Sequence, residues 1–276
     1  SAASDVYKRQ IQGGPVTPVP PQEMIALRAH RPDRPTLASH RRLVRAFGED
    51  RVVVVADEAS SPPHQWPAHV DVVRITPQAL EQVGLSTDIR DSGWRCGDYA
   101  LSVLFAQRRV ERAWLTEPDV AFSGQTPLEF TQRYAEDPAD FVVHSMAPQN
   151  PGGFWYGTLT SRGFSGREWH SFFPLLRVSR AAVEAATALR REIQHVPSDL
   201  MPPNDETVVA TAVAENGLSW TVMQDRDPAM FRRFSPGLRL PLPVLKALYR
   251  GPQVFHPVGR PDILKRRRRA EDVTSA

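Results

Sequence analysis

Glu117 and Asp119 lie two residues apart at the end of an apolar run, Ala113-Trp-Leu-Thr116, with Pro118 between them and Gly124 closing the segment. The proline fixes the backbone between the two carboxylates and cannot extend a sheet ladder, so the pair sits where a strand stops. A hard cation such as Mg²⁺ or Mn²⁺ takes oxygen ligands and is commonly held by one or two carboxylates together with substrate phosphates. The same spacing also serves a solvated turn after a strand, with no ion involved.

Other candidates lie elsewhere along the chain. Asp205 and Glu206 follow Met201-Pro-Pro-Asn204 and open a helical stretch, a place where the helix dipole favours acids without any function. A carboxylate there can equally act as base toward an acceptor hydroxyl, which suffices when a metal activates the leaving group. Arg95 suits neutralisation of phosphate charge, while Asp98, at the start of the helix beginning near Gly97, reads by itself as an N-cap. His256 follows Val254-Phe255 and precedes Pro257; a lone histidine is more often a surface or core residue than a ligand. Phe154-Trp155-Tyr156, with Trp169 and His170, offers faces on which sugars stack, although such rings also build cores. Arg177 is either a structural charge or a phosphate contact.

These residues need a frame. Met24 to Arg28 reads as a buried strand, His30 to Pro35 as a loop, and Leu37 to Phe47 has helical spacing that ends near Gly48. Arg51 to Asp57 is apolar and β-branched at its centre, as expected of a strand covered on both faces. Further strands are expected at 70–75, 113–116, 140–143 and 218–222. Helices are expected at 78–84, 97–107, 205–215 and 179–194, the last with Ser179 as N-cap. This alternation predicts a mostly parallel sheet with helices on both faces. Ligands of such sheets collect at the carboxyl ends of strands. Arg28, Asp57, Glu117 and Asp119 all fall at those ends, beside His30, Glu58, His144 and Ser145.

Composition narrows the classes. The 276 residues suffice for one large domain, and 41% hydrophobic with 24% charged is ordinary for a globular protein. The net charge of +3 is local: residues 260–276 hold six basic and three acidic side chains, leaving 28 of each in the body. A neutral body argues against an extended nucleic-acid face. Cys96 is the single cysteine, so an intrachain disulfide and a four-cysteine zinc site are excluded. No apolar run approaches the ~20 residues of a membrane span, and the start lacks the pattern of a signal peptide, so a cytoplasmic protein is expected. Residues 1–22 read as extraneous, the first ten resembling translated adapter sequence; 23–259 form the expected domain and 260–276 a flexible basic tail. Lys265 to Arg269 suits a solvated end or contact with anionic lipid headgroups, which would place the protein at the periphery of the inner membrane.

Trp94-Arg-Cys-Gly-Asp98-Tyr99 before a helix, then Glu117-Pro-Asp119-Val-Ala-Phe-Ser-Gly124 after a strand, resembles glycosyltransferases of the GT-A fold. The likeness is to a poorly characterised bacterial group whose fungal relatives carry an E-x-D-V-x-x-x-G segment, and it extends in short motifs from Met24 to Val258. The resemblance implies a GT-A-like, Rossmann-like sheet and a nucleotide-diphosphate sugar donor with a hydroxyl acceptor. It implies Mn²⁺ or Mg²⁺ held by Asp119, with Glu117 in place of the usual first Asp and with His256 returning late to the same ion. It also implies Asp98 against base or ribose, Arg28, Asp57, Arg95 and Glu117 around the donor, and Asp205 or Glu206 as the base. A nucleotidyltransferase-like enzyme is the rival expectation, although the Gly-rich phosphate loop it usually needs is missing from His30 to Pro35. A catalytically silent nucleotide-sugar-binding protein is the third.

Overall fold

The computed structural model describes residues 23–88, 95–237 and 239–259. Trp94, residues 1–22 and the basic run 265–269 lie outside that set. Seven strands form the central sheet: β1 (Glu23–Ala29), β2 (Val52–Asp57), β3 (Val72–Ile75), β4 (Arg112–Thr116), β6 (Phe141–Val143), β9 (Leu175–Ser179) and β10 (Trp220–Val222). Their order across the sheet is β10-β6-β9-β4-β1-β2-β3. All run parallel except β9, which is antiparallel to both β4 and β6. The architecture is therefore α/β, with a mostly parallel sheet and helices on both faces.

Alternation along each strand sorts the side chains into two layers. Met24, Ala26, Val53 and Val55 pack on one side with helices α2 (Pro77–Gln82), α3 (Gly97–Gln107), α5 (Arg180–Ile193) and α6 (Asp205–Glu215). Ile25, Leu27, Val52 and Val54 pack on the other with α1 (Arg34–Phe47) and with Phe130 of α4 (Pro127–Gln132). Helices α3 and α6 are buried nearly all round rather than along one stripe, so they are interior elements whose first turns cannot drift.

Two sequence expectations need correction. The segment His30–Pro35 is only partly a loop: Asp33 caps α1 by accepting from the Thr36 amide at 3.1 Å, and Pro35 lies in the first turn, where its missing N–H costs nothing. Strand β9 was not expected. Its run Leu-Leu-Arg-Val-Ser holds a buried arginine, which hides a strand from pattern reading. Arg177 turns inward and donates to the carbonyls of Tyr134, Asp137 and Ala139 at 2.6, 2.5 and 3.3 Å, so it is a structural charge.

Beyond the central sheet, β5 (Ala121–Ser123), β11 (Arg233–Phe234) and β13 (Gln253–His256) make a small second sheet in the order β11-β13-β5. Strands β7 (Met146–Pro148) and β8 (Trp169–Ser171) form a hairpin-like pair, and β12 (Leu240–Pro241) pairs with β14 (Val258–Gly259).

Candidate active site

The carboxyl end of β4 runs directly into Glu117. Its amide donates to Pro174 O at 3.1 Å, the Val120 amide donates back to Glu117 O at 3.1 Å, and Ser39 of α1 donates to Pro118 O at 3.0 Å. The acidic turn is thus pinned from three elements. Gly124 ends it with φ of 66°, and a Cβ there would strike the backbone of Gly251, so this position demands glycine for two reasons. Strand β13 then lies antiparallel to β5 with Phe255 opposite Ala121, which carries His256 alongside Val120. A further bond from the Val258 amide to Asp119 O, at 2.9 Å, locks this register.

His256 Nε2 consequently lies 3.8 Å from Glu117 Oε2 and 3.6 Å from Asp119 Oδ1. One donor atom from each of the three residues falls within 4.8 Å of the others, and no other group among the described residues does so. Ligands at about 2.1 Å from a common ion are about 3–4 Å apart, so a small inward movement closes the triad on a cation. The donor set fits one too. Burial between Phe172 and Phe234, with ring centroids at 5.3 and 5.5 Å, pushes His256 down to about 4 and leaves its imidazole neutral at pH 7. Burial raises Asp119, against the pull of Arg239, whose guanidinium sits 3.5 Å from Asp119 Oδ2. One imidazole nitrogen with two carboxylates suits Mn²⁺ better than Mg²⁺, which prefers oxygen ligands.

Arg28 ties this triad to a second pair of acids. Its NH1 nitrogen donates to Glu117 Oε1 and to Asp205 Oδ2, both at 3.2 Å. Glu117 is thereby turned so that its other oxygen faces His256. Burial works to discharge Arg28, but Asp205, Glu117 and Asp57 override it and raise its pKa. Asp205 also accepts from the Gly97 amide at 2.8 Å and from the Glu206 amide at 2.9 Å. Four elements therefore converge here: the ends of β1 and β4 and the first turns of α3 and α6. A Cβ on Gly97 would collide with both Asp205 Oδ2 and Arg28 NH1. Gly97→Ala is expected to lower stability by about 1–3 kcal/mol in urea unfolding; an unchanged midpoint would show that the junction yields.

Asp205 is almost wholly buried and both its oxygens are engaged, whereas Glu206 is half-buried. Glu206 accepts from the Phe173 amide at 3.3 Å and from Asn204 Nδ2 at 3.0 Å. Burial, then the Asp205 charge, pushes Glu206 up to about 8, and burial against Arg28 lifts Asp205 to about 6. A carboxyl raised in the folded state contributes stability that is complete below its unfolded pKa of 4.5 and fades as pH climbs through about 8. In metal-free protein, Glu206→Gln should be close to wild type near pH 5 and exceed its stability near pH 8.5 by roughly 4 kcal/mol. Parallel stability curves at both pH values would mean that the carboxyl is not held protonated.

Other expected site residues are engaged elsewhere, although the charges of Asp57 and Asp98 act on Arg28 and Asp205. Asp98 is 1% exposed, and its two oxygens accept from Arg190 Nε and NH2 at 2.9 and 2.8 Å. The N-cap of this helix is Cys96 rather than Asp98. Arg95 stacks its guanidinium over Trp155 at 5.6 Å and donates to Met201 Sδ at 3.2 Å. Asp57 is half-buried at the end of β2 and accepts from the Ala59 amide at 3.1 Å. Sequence reasoning overlooked the Gly97 amide, Arg239 and Asn204. His144 was noted at the end of β6 and given no role. This histidine is buried against Phe172, Phe231 and Phe234, and burial pushes it down to about 4.

No known protein family and no curated protein matches the chain. Among solved structures, the inositol-1-phosphate CTP transferase from T. maritima aligns with a TM-score of 0.35 and 9% identity, over 73% of this chain and 85% of that one. A likeness of that degree leaves function to be argued from the site.

Proposed function

We propose that the chain is a metal-dependent glycosyltransferase that moves a sugar from a nucleotide-diphosphate donor to a hydroxyl acceptor. The observation that carries this reading is the Glu117, Asp119 and His256 triad at the carboxyl end of β4, joined through Arg28 to the acid-tipped start of α6. Asp119 and His256 would hold the ion, with Glu117 as third ligand. When bound, a divalent cation supplies charge stabilisation for a departing diphosphate.

The protein's own groups divide the remaining work. Glu206 is the base toward the acceptor hydroxyl: it retains accessible surface, and a pKa near the working pH suits proton transfer. Asp205 is a positioning residue, because its carboxylate bonds the Glu206 amide and the start of α3. Arg28 orients Glu117 and keeps the acids compatible with one another.

The test is thermal unfolding of the purified protein against nucleotide diphosphates and nucleotide sugars, with and without Mn²⁺. A ligand at a hundred times its Kd stabilises by about 2.7 kcal/mol, an easily seen shift in Tm. One nucleotide should act in a Mn²⁺-dependent way. If no nucleotide shifts Tm under either condition, the donor site is wrong.

A further inference from the structure

Seven large apolar side chains are exposed among the described residues, and four of them, Phe154, Tyr156, Val196 and Leu200, stand on two neighbouring loops. Phe154 is 68% exposed. Arg162 joins the loops by donating to Thr158 O, Met201 O and Leu200 O at 2.8, 3.2 and 2.7 Å. A methyl group on Gly157 would rest 3.6 Å from Leu200 Cδ1. Exposed clusters of this kind mark binding surfaces.

The aromatic loop is built rather than slack. The buried carboxylate of Glu168 accepts from the amides of Gly157, Leu159 and Thr160 at 3.0, 3.0 and 2.7 Å. That anchorage holds the segment directly after Tyr156 in place and removes much of the ordering cost of binding. Phe154 packs edge-on against Trp155, with centroids 4.9 Å apart.

Its position is next to the proposed base. Gln149, at the root of the loop, donates to Thr207 Oγ1 at 3.0 Å, one residue past Glu206. At the other side, Trp155 lies under Arg95, two residues before the Gly97 amide that holds Asp205. The loop thus borders the starts of both α6 and α3.

Its charge says what binds. Residues 149–161 contain no charged side chain, and residues 196–204 contain one, Asp199. Arg162 is buried and turned onto carbonyls, so neither loop carries an exposed cation of its own, and the neighbouring Arg95 guanidinium is stacked on Trp155. An anionic lipid surface is recognised by basic residues, and a nucleic acid by phosphate contacts. A neutral sugar chain needs flat apolar faces with uncharged polar neighbours, and Asn150, Thr160, Ser161 and Ser198 provide those.

We infer that Phe154 and Tyr156 form the acceptor subsite and that the acceptor is an extended, neutral oligosaccharide. The word acceptor rests on the transferase reading; the binding surface does not. The experiment measures wild-type protein, Phe154→Ala/Tyr156→Ala and Phe154→Trp on an array of neutral and charged oligosaccharides, then by Trp fluorescence with the best neutral glycan. The same proteins, with Asp119→Ala added, are also floated on vesicles of phosphatidylglycerol and phosphatidylethanolamine. Wild type and Asp119→Ala should bind a neutral glycan alike, the double variant about tenfold more weakly, and Phe154→Trp as well as wild type, with Tm unchanged throughout. Glycan binding that survives when the Mn²⁺-dependent nucleotide shift is absent would separate this surface from the donor reading. The inference is overturned if no neutral glycan binds, if the double variant binds as wild type does, or if the aromatics are needed for vesicle flotation instead.

Discussion

Replacing Arg190 by methionine is expected to lower the unfolding free energy by about 3–5 kcal/mol, because it strands a buried carboxylate. Arg190 and Asp98 are each 1% exposed and are joined through two parallel bonds. Arg190 NH1 also donates to Pro203 O at 2.7 Å, which fixes the chain just before the Asn204 cap of α6. The variant should therefore lose activity as well as stability, since Asp205 and Glu206 begin the helix held by that bond. The paired variant Asp98→Leu/Arg190→Met removes both charges and should recover most of the stability, as buried ion pairs are often replaceable by apolar groups. Urea unfolding of the wild type and both variants decides it. Equal losses in the single and the paired variant would mean that the pair's charges do not dominate the cost.

Asp119→Ala is expected to reduce kcat about a thousandfold, corresponding to the several kcal/mol by which a bound cation stabilises developing charge. The fold should tolerate the change. Asp119 is partly exposed, and its backbone carbonyl, rather than its side chain, receives the Val258 amide. Removing its carboxylate also leaves Arg239 without its 3.5 Å ion pair, a surface contact worth little. The Mn²⁺-dependent shift in Tm on adding nucleotide should vanish with the activity. Retention of both would move the metal site elsewhere, and loss of activity with the shift intact would assign Asp119 to chemistry after binding.

Much of the scaffold can be read from local pattern. The valines of β2 and the alternation around Met24 to Arg28 follow from burial on two faces. Helices α3 and α6 begin and end where spacing predicts, α6 opening after Pro202-Pro203. The carboxylates of Glu117 and Asp119 are legible for the same local reason, because a proline between two acids after an apolar run can only end a strand. Composition alone excluded a disulfide within the chain.

What the linear pattern does not contain is which distant side chains meet. Arg190 and Arg191 look alike on α5, yet one is sealed against Asp98 and the other reaches Val83 O at 2.8 Å; the difference is about 100° of helical rotation relative to a neighbour. Asp98 was expected at a ligand and lies instead inside the core, since α3 is covered on all sides. Arg28 was expected near the donor nucleotide, and its guanidinium bridges Glu117 and Asp205, 89 and 177 residues away. His256 reaches Asp119 through the register of β13 on β5, and register is a property of two paired strands, not of either sequence. The residue types available for chemistry were set by the chain itself. Their partners and the direction in which their protonation is shifted came from packing, because burial and charge proximity exist only once the chain is folded.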